Sequence, residues 1–303
     1  MTKLLSMHDA VERYVPDGAS VVMGAALESL IPFAAGHEII RQGKRDLTLI
    51  GPISDMLFDQ LIGAGCVRKV IAAWVGNVSA GLAHNYRRAV EAGVPHSIEV
   101  EDHSNFTVGL ALLAASLGAP YIPTRTVLGT DILKTNPTLQ VAASPLDGSP
   151  VVLVPALQPD VAILHVQRCD PDGNAHAWGN LGISEEAALA SRTVILTTEE
   201  IVDREVIFSD PNRVLVPGFK VAAVVHEPGG AYPSPVQGYY NRDHAAYHEY
   251  HSATRTREGF EDWLAEWVLG VPDRAGYLER LGERWPALGV EDHRFAAPVD
   301  YGY

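Results

Sequence analysis

One short stretch of the sequence, IEVEDHSNF, places five polar or ionisable side chains in a row. They are Glu101, Asp102, His103, Ser104 and Asn105. The acids and the histidine could transfer protons or bind a metal, whereas the serine and the asparagine could hydrogen-bond to a ligand. Three interpretations are open at this point: a complete active site, half of one, or a helix cap formed by Asp102 or Ser104.

A metal site is a weak explanation for the two histidine-containing segments of the chain. The cluster at 101–105 has no second group of His, Asp or Glu at a matching spacing. The segment HAAYHEYH places His244, His248 and His251 on one face of a predicted helix. The zincin motif needs two residues between its glutamate and its second histidine, and HEYH has one. We predict no bound metal and assign this helix to the surface or to a subunit contact.

Sequence motifs of familiar nucleophiles and nucleotide sites are missing. The sequence contains no Gly-x-Ser-x-Gly elbow, no dinucleotide-binding Gly-x-Gly-x-x-Gly and no Walker loop. Its two cysteines, Cys66 and Cys169, lie in apolar surroundings that indicate packing, and two thiols form no disulfide framework. The residues alone therefore suggest a binding surface that needs a partner to supply the catalyst.

The elements that would position these residues follow a repeated pattern over the first 130 residues. A β-rich apolar run leads into a small or polar turn, and then into a helix-period segment of about 10–15 residues. The β-rich runs are ASVVMG, DLTLIG, VRKVIAAW, SIEVE and APYIPTRTV. This alternation predicts an α/β fold with a mainly parallel open sheet flanked by helices. Glycines at 43, 65, 93 and 118 stand where left-handed helix caps belong.

The second half of the chain changes character. LQVAASPLDGSPVVLVP reads as a hairpin, whereas VAILHVQ, TVILTTEEI and FKVAAVVHEPGG read as strands, the first two strongly buried. Residues from about 242 to 285 are predicted to be helical, and the tail FAAPVDYGY (295–303) to be extended. Without a long linker, residues 1–303 are expected to form a single domain.

Small and polar residues follow every predicted strand of the first half. The segments are Gly24–Ser29, Gly51–Asp55, Gly76–Ser79, Glu101–Asn105 and Gly129–Asp131. Ligands of open parallel sheets bind beyond the carboxyl ends of the strands, where helix N-termini favour anions. Together these segments suggest a ligand that carries a carboxylate, an oxyanion or a phosphate, although Ser, Asn and Asp can also simply cap helices.

Composition excludes several classes of function. The 303 residues carry a formal net charge of −14, so the surface lacks the basic clusters that nucleic acids or anionic membranes require. No window reaches the roughly 18 apolar residues that span a bilayer, and the N-terminal segment lacks the apolar core of a signal peptide. We expect a cytoplasmic protein with reduced thiols that binds neither nucleic acid nor membrane.

Long segments of the chain closely resemble α subunits of the glutaconate-type, class I CoA-transferases. They are the opening MGAALESLIPFAAGHEIIRQGKRDLTLIGPISDMLFDQLIGAGCVRK, then VPALQPDVAILHVQRCDPDGNAHAWGN, ILTTEEIVD, VVHEPGGAYPSPVQGYY and EDWLAEWVL. The segments occur in the family's order and span essentially the whole chain. The resemblance implies a CoA-transferase-like fold and a two-chain enzyme that moves CoA between a small or dicarboxylic acyl-CoA and a carboxylic acid.

The same resemblance implies that the catalytic residue lies on the β subunit. In this family a glutamate of a Ser-Glu-Asn-Gly-like motif attacks the acyl-CoA thioester, in ping-pong nucleophilic catalysis. No such tetrapeptide occurs here, and the nearest segment, Ile183–Glu186, lacks the following glycine. We expect no catalytic residue on this chain and no permanently bound cofactor, with the coenzyme A thioester entering as a substrate.

The family pattern also assigns substrate-facing positions to this chain. The stretch VGNVSAG aligns with a segment that carries a substrate-facing serine, and Asn77, Val78 and Ser79 compete for that place, with Ser79 preferred for its hydroxyl. Ser104, Asn105, Gly129 and Thr130 fall where the α subunit meets the acyl group, and could donate hydrogen bonds to the developing oxyanion. Glu28, Ser29 and Glu101 are further candidates for substrate binding. Glu28 and Ser29 belong to a loop that departs from the more polar, basic loop of glutaconate enzymes, which argues against glutaconate.

Two alternatives stay open on the sequence. Steroid-ring-opening hydrolases share the two-chain architecture and carry a catalytic glutamate on the α chain. Counted without gaps from APYIP, that glutamate falls at Asn105, which cannot act as a nucleophile or base, although a shifted loop could bring in Glu101. The second alternative is a non-catalytic module that binds acyl-CoA without turnover.

Overall fold

The computed structural model describes residues 3–53 and 55–290, so the tail predicted to be extended lies outside the described residues. The helices are α1 Met7–Tyr14, α2 Phe33–Arg41, α3 Asp55–Gly63, α4 His84–Ala92, α5 Asn105–Ser116, α6 Ile132–Thr135, α7 Ser184–Ala190, α8 Arg204–Phe208, α9 His244–Ala253, α10 Arg257–Leu264, α11 Arg274–Arg280 and α12 Arg284–Ala287. A π-helical turn, Ala265–Leu269, continues α10.

The strands are β1 Ser20–Val22, β2 Leu47–Ile53, β3 Val67–Trp74, β4 Glu99–Asp102, β5 Tyr121–Thr124, β6 Gln140–Ala143, β7 Pro150–Pro155, β8 Val161–Cys169, β9 Ala175–His176, β10 Thr193–Ile201, β11 Val214–Val216 and β12 Val221–His226. A parallel sheet runs in the order β12-β10-β8-β1-β2-β3-β4, and β9 and β11 extend it antiparallel from the end of β8. The predicted α/β fold with a mainly parallel open sheet is confirmed.

The order of the strands creates a switch point beside β1. The chain builds β1 to β4 outward in one direction, and then returns to place β8 on the other side of β1. In open α/β sheets the loops that leave the carboxyl ends on the two sides of such a point diverge and form a crevice. The loop after β1 and the segment after β8 therefore frame the expected ligand site.

Both faces of the sheet are covered, because successive side chains of each strand point to opposite faces. Val21, for example, belongs to the core under α1, α2, α3 and α4, whereas Val22 belongs to the core under α5 and α7. The strands accordingly read as continuous apolar runs, as the sequence indicated for VAILHVQ. The helices of the C-terminal part, α9 and α10, add Tyr247, Tyr250 and Phe260 to the first core.

One sequence prediction about the sheet is wrong. APYIPTRTV was expected to begin a fifth unit of the parallel sheet, but β5 pairs antiparallel with β7 in a separate three-stranded sheet, order β5-β7-β6. The predicted hairpin is the β6–β7 pair, and β5 joins its other edge. Val152 and Val154 of β7 pack with Ala111 of α5, so the small sheet rests on the outer side of that helix.

The predicted single domain of 1–303 stays a prediction.

The four glycines expected at helix ends, at 43, 65, 93 and 118, all have φ between +62° and +79°, as the left-handed cap requires. Among the described residues no helix combines the length and the apolar character needed to cross a bilayer.

Candidate functional site

A cleft opens at the carboxyl edge of the parallel sheet, beside the switch point. Its volume is about 370 Å³, within the roughly 300–1,000 Å³ that is typical of small-molecule sites. Elements far apart in sequence meet in its wall: the loop after β1, the end of β2, the start of α5 and the start of α7. The lining includes Leu27, Pro52, Asn105, Phe106, Ile183 and Glu186.

The loop after β1 is held in a strained conformation. Gly24, Leu27 and Leu30 have positive φ angles of 65°, 67° and 55°, and a leucine in this region is uncommon. Such conformations persist only where the surrounding structure enforces them, and they cluster at functional sites. Left-handed residues in a turn also arrange backbone N–H groups into concavities that bind anions.

The start of α7 holds that loop from one side. The Ile183 N–H donates a hydrogen bond to the Ala25 carbonyl at 2.9 Å. At Gly182, whose φ is +53°, a Cβ would stand 2.2 Å from the Ala25 oxygen, so this approach of two backbones requires glycine. The two sides of the switch point are thereby joined directly.

Asp55, the first residue of α3, is a buried carboxylate next to the cleft. Its φ is +46° and its side chain is buried. Oδ1 accepts hydrogen bonds from the N–H groups of Met56 at 2.8 Å and Val78 at 3.3 Å, and Oδ2 lies 4.0 Å from Nη1 of Arg242. Burial raises the pKa of Asp55 to about 6, since these partners offset only part of the desolvation.

Arg242 ties the carboxyl-edge loops together. Its Nη2 donates to the backbone carbonyl of Glu28 at 2.7 Å and to the Glu28 carboxylate at 3.2 Å. The guanidinium also lies over the ring of Tyr247, 5.1 Å from its centroid. One cation therefore connects the loop after β1, Asp55 at the end of β2, and helix α9. We name Asp55, Arg242 and Glu28 the carboxyl-edge brace.

The predicted residues of the loop after β3 have separate structural tasks. Asn77 is buried, donates to the Tyr247 carbonyl at 2.8 Å, and accepts hydrogen bonds from the N–H groups of Ser79 and Ala80. It thus shapes the turn, as asparagine commonly does. Ser79 is half-buried, with Oγ 3.1 Å from Nδ1 of His244. Of the three residues that compete for the substrate-facing place, Ser79 has the accessible hydroxyl.

Glu101 is held within the sheet. Its carboxylate lies 2.7 Å from Nζ of Lys69 and 3.0 Å from Nε2 of His103. The hydrogen bond from His103 and the ion pair with Lys69 lower the pKa of Glu101 to about 2, despite partial burial. His103 is itself buried and hydrogen-bonded through Nδ1 to Thr107. This group is not among the described residues that line the cleft.

Ser104 and Asn105 have different roles. Ser104 is the N-cap of α5: its Oγ accepts from the Thr107 N–H at 3.1 Å, and the Thr107 hydroxyl accepts from the Ser104 N–H, which completes a capping box. Asn105, the first residue of α5, is exposed and lines the cleft. The polar stretch 101–105 is therefore partly a cap and partly a cleft wall.

Asn105 is the only predicted site residue in the described lining of the cleft. Three others that lie outside it are Ser29, Gly129 and Thr130. Ser29 is buried and donates to the Asn180 carbonyl at 3.2 Å. Thr130 is exposed and donates to the Val127 carbonyl at 2.8 Å, next to Gly129 with φ +80°. Gly129 and Thr130 belong to the segment after β5, which left the parallel sheet. The substrate contacts of all three residues stay predictions.

The histidines and cysteines have ordinary structural surroundings. In the described residues there is no group of three or more His, Cys, Asp or Glu arranged to hold a metal ion. His251 of α9 packs against His84, with ring centroids 4.4 Å apart and the ring planes tilted by 38°. Both cysteines are buried, and burial raises the pKa of Cys66 to about 12 and raises that of Cys169 as well, so neither forms a thiolate at neutral pH.

Sequence reasoning missed the residues that complete the site. Arg242 lies 214 positions after Glu28, and no local pattern links them. Glu186 was noted only because its tetrapeptide fails to match a motif, yet it lines the cleft. The signal that could have found it is the switch point itself, since a helix that starts after β8 must face the loop after β1.

Comparison with known proteins gives a consistent result. The coenzyme A transferase family matches residues 4–227. The A subunit of 3-oxoadipate CoA-transferase from Pseudomonas knackmussii is 40% identical over 283 residues, 93% of this chain and 99% of the relative. The A subunit of glutaconate CoA-transferase from Acidaminococcus fermentans is 33% identical over 299 residues, which cover 93% of this chain and 92% of the relative. The crystal structure of that organism's glutaconate coenzyme A-transferase superposes with a TM-score of 0.89 at 31% identity, covering 98% of both chains.

Proposed function

The chain belongs to the coenzyme A transferase family, and from this premise we propose that its carboxyl-edge cleft forms one wall of an acyl-CoA site. It is the α subunit of a two-chain CoA-transferase. The observation that carries the proposal is the cleft beside β1, where Asn105 and the strained loop after β1 face the same space.

The proposed chemistry divides between the two chains. A glutamate carboxylate supplied by the β subunit adds to the thioester carbonyl, an acyl–oxygen bond forms, the acyl–sulfur bond breaks, and CoA leaves as a thiolate. The thiolate then attacks the glutamyl carbonyl of the mixed anhydride, and this releases the first acid as a carboxylate. A second carboxylate reverses the two steps. No water is consumed and no resident cofactor takes part.

The α subunit contributes electrostatic stabilisation and position. Each step passes through a tetrahedral species whose oxygen becomes negative, and fixed N–H donors stabilise such an oxyanion most effectively. The backbone N–H groups of Gly24, Ala25 and Ala26 and the Asn105 amide are the proposed donors, whereas the Leu27 N–H already donates to the Gly24 carbonyl at 3.2 Å. Ser79 lies outside the described lining of the cleft, and its contact with the substrate stays a prediction. The strain at Leu27 and Leu30 fits this role, because a loop that relaxed on binding would lose preorganised donors.

A hydrolase that uses an α-chain carboxylate is the weaker candidate. The position that would hold that carboxylate is Asn105, whose amide has no nucleophilic oxygen at neutral pH. Glu101 is engaged by Lys69 and His103, which stabilise its charge and so weaken it as a base. To reach the cleft, Glu101 would have to break both contacts.

Two classes of acid are candidates for the substrate: small monocarboxylic acids and dicarboxylic acids. The relatives named for 3-oxoadipate and glutaconate act on the dicarboxylic class. The charge and polarity of the cleft lining distinguish the two classes, because a dicarboxylic acid brings a second negative charge into the cleft.

The proposal is tested by co-expressing this chain with its β-subunit reading frame and measuring CoA transfer between acyl-CoA and free acids. We expect activity in the complex and none in either chain alone. Full activity of this chain by itself, or an inactive but intact complex, would refute the proposal.

A further inference from the structure

The wall of the cleft is apolar where an acyl chain would lie. Phe106, Leu110 and Leu113 stand at positions i, i+4 and i+7 of α5 and so share one face of the helix, which the cleft exposes. Ile183 and Pro52 belong to the same lining. Phe106 remains 55% exposed, so this surface is available to a ligand in the α subunit. An aliphatic tail would remove this surface from water on binding.

The charge in the cleft is negative. Glu186, in the first turn of α7, is the only ionisable side chain among the described residues of the lining, and it is half-buried. Within residues 3–53 and 55–290 no Lys, Arg or His forms an ion pair with it. A carboxylate bound nearby would face a like charge that has no ion-pair partner among the described residues.

Arg242 of the carboxyl edge and Lys69 of β3 are already engaged by this chain's own acids. Arg242 binds the backbone and carboxylate of Glu28, and its side chain is 11% exposed. Lys69 is paired with Glu101 at 2.7 Å. To bind a distal carboxylate of the substrate, either one would have to abandon a carboxylate it already holds.

We propose that this cleft selects acyl groups whose tail carries no negative charge, with Glu186 as the specificity-determining residue that rejects a distal carboxylate. The inference rests on the proposed function, because it assigns the acyl tail to the cleft. It separates this chain from the dicarboxylate enzymes to which it is similar. Glu186 does not exclude the carboxylate that reacts, because that carboxylate is assigned to the oxyanion donors and becomes the thioester carbonyl.

The experiment compares two acids of equal carbon number in the reconstituted two-chain enzyme. Identity exchange is measured between hexanoyl-CoA and labelled hexanoate, and separately between adipoyl-CoA and labelled adipate. This design needs no second acid, because a ping-pong enzyme exchanges CoA between an acyl-CoA and its own free acid. Complex formation is followed in parallel by size-exclusion chromatography.

We expect kcat/KM for hexanoate exchange to exceed that for adipate by about tenfold or more. Glu186→Gln should raise adipate exchange about tenfold and leave hexanoate exchange within about twofold, because it removes only the repulsion. Glu185→Gln is the matched control: Glu185 is the exposed neighbour on the same helix and does not line the cleft, so neither rate should change.

Each contrary outcome has a definite meaning. Faster exchange of adipate than of hexanoate, or an equal response of both acids to Glu186→Gln, overturns the inference and leaves the transferase intact. Loss of both exchanges in Glu186→Gln would identify Glu186 as a reacting group and so overturn the inference. Loss of the β subunit from that variant makes the cleft a docking surface and overturns it too. No exchange of either acid in an intact wild-type complex contradicts the proposed function itself.

Discussion

The Nζ of Lys69 lies 2.7 Å from Oε2 of Glu101, and this ion pair joins the neighbouring strands β3 and β4. It decides which chemistry the chain can perform. A shifted loop could in principle turn Glu101 into the catalytic carboxylate of a hydrolase. The structure instead holds it as a structural anion between Lys69 and His103.

Glu101→Gln should therefore retain CoA transfer. We expect at most about a tenfold fall in kcat/KM, caused by a small displacement of α5. Removing a catalytic carboxylate usually lowers kcat/KM far more. The measurement is transfer by the two-chain enzyme, with Glu99→Gln, an exposed residue of the same strand, as the control. Complete loss of turnover in Glu101→Gln alone would restore the hydrolase interpretation.

The same carboxylate should make stability depend on pH in the acid range. The pKa of Glu101 is lowered from 4.5 to about 2 by His103 and Lys69. Its contribution to the free energy of unfolding is therefore fully present above pH 4.5 and is lost as the pH falls toward 2. Urea unfolding should show wild type more stable than Glu101→Gln at pH 7, with the gap closing below pH 4.5. A gap that stays constant down to pH 3 would contradict this assignment.

Much of the fold follows from the sequence for definable reasons. Apolar runs such as VAILHVQ are buried on both faces, so their strand character is strong, and Ser104 followed by Thr107 forms a local cap. The location of β5 could not be predicted, because YIPT has the same appearance in a parallel or an antiparallel sheet. The brace between Arg242, Glu28 and Asp55 depends on tertiary contacts that no spacing encodes.

Asp55→Asn should stabilise the protein and impair its function. Burial raises the pKa of Asp55 from 3.8 to about 6, so the group's contribution to stability falls as the pH rises from about 4 to 6. Asparagine tolerates the positive φ and can still accept both backbone hydrogen bonds. We expect the free energy of unfolding to rise by about 1–2 kcal/mol at pH 7, and less at pH 4. Transfer activity should fall severalfold, because Arg242 loses one member of the brace.

Asp59→Asn is the control for this effect. Asp59 is also buried and its pKa is raised by burial, but its carboxylate accepts hydrogen bonds from Asn85 and Tyr86 of α4 and from Tyr250 of α9, and it does not contact Arg242 in the ion pairs of the described residues. Its substitution should change stability and leave transfer unchanged. A less stable Asp55→Asn at pH 7, or a fully active one, would show that Asp55 is not a strained functional residue.

Substitution of Ser104 should lower the stability of the protein, whereas substitution of Asn105 should lower its activity. Ser104→Ala removes the cap of α5 and should cost about 1 kcal/mol of unfolding free energy, with kcat/KM changing little. Asn105→Ala, at an exposed position on the cleft, should leave the thermal midpoint unchanged and lower kcat/KM about tenfold through a lost oxyanion donor. Thermal melts and initial rates measured on both variants check the pair. The reverse assignment of effects would exclude Asn105 from the site.

The most direct measurement asks which polypeptide carries the covalent intermediate. The two-chain enzyme is incubated with acyl-CoA alone, the enzyme-bound thioester is reduced with borohydride, and both chains are digested and analysed by mass spectrometry. We predict that a glutamate of the β subunit is reduced to the alcohol and that this chain is unmodified. Reduction of Glu101, Glu186 or any other acidic residue of this chain would contradict the claim that its partner supplies the nucleophile.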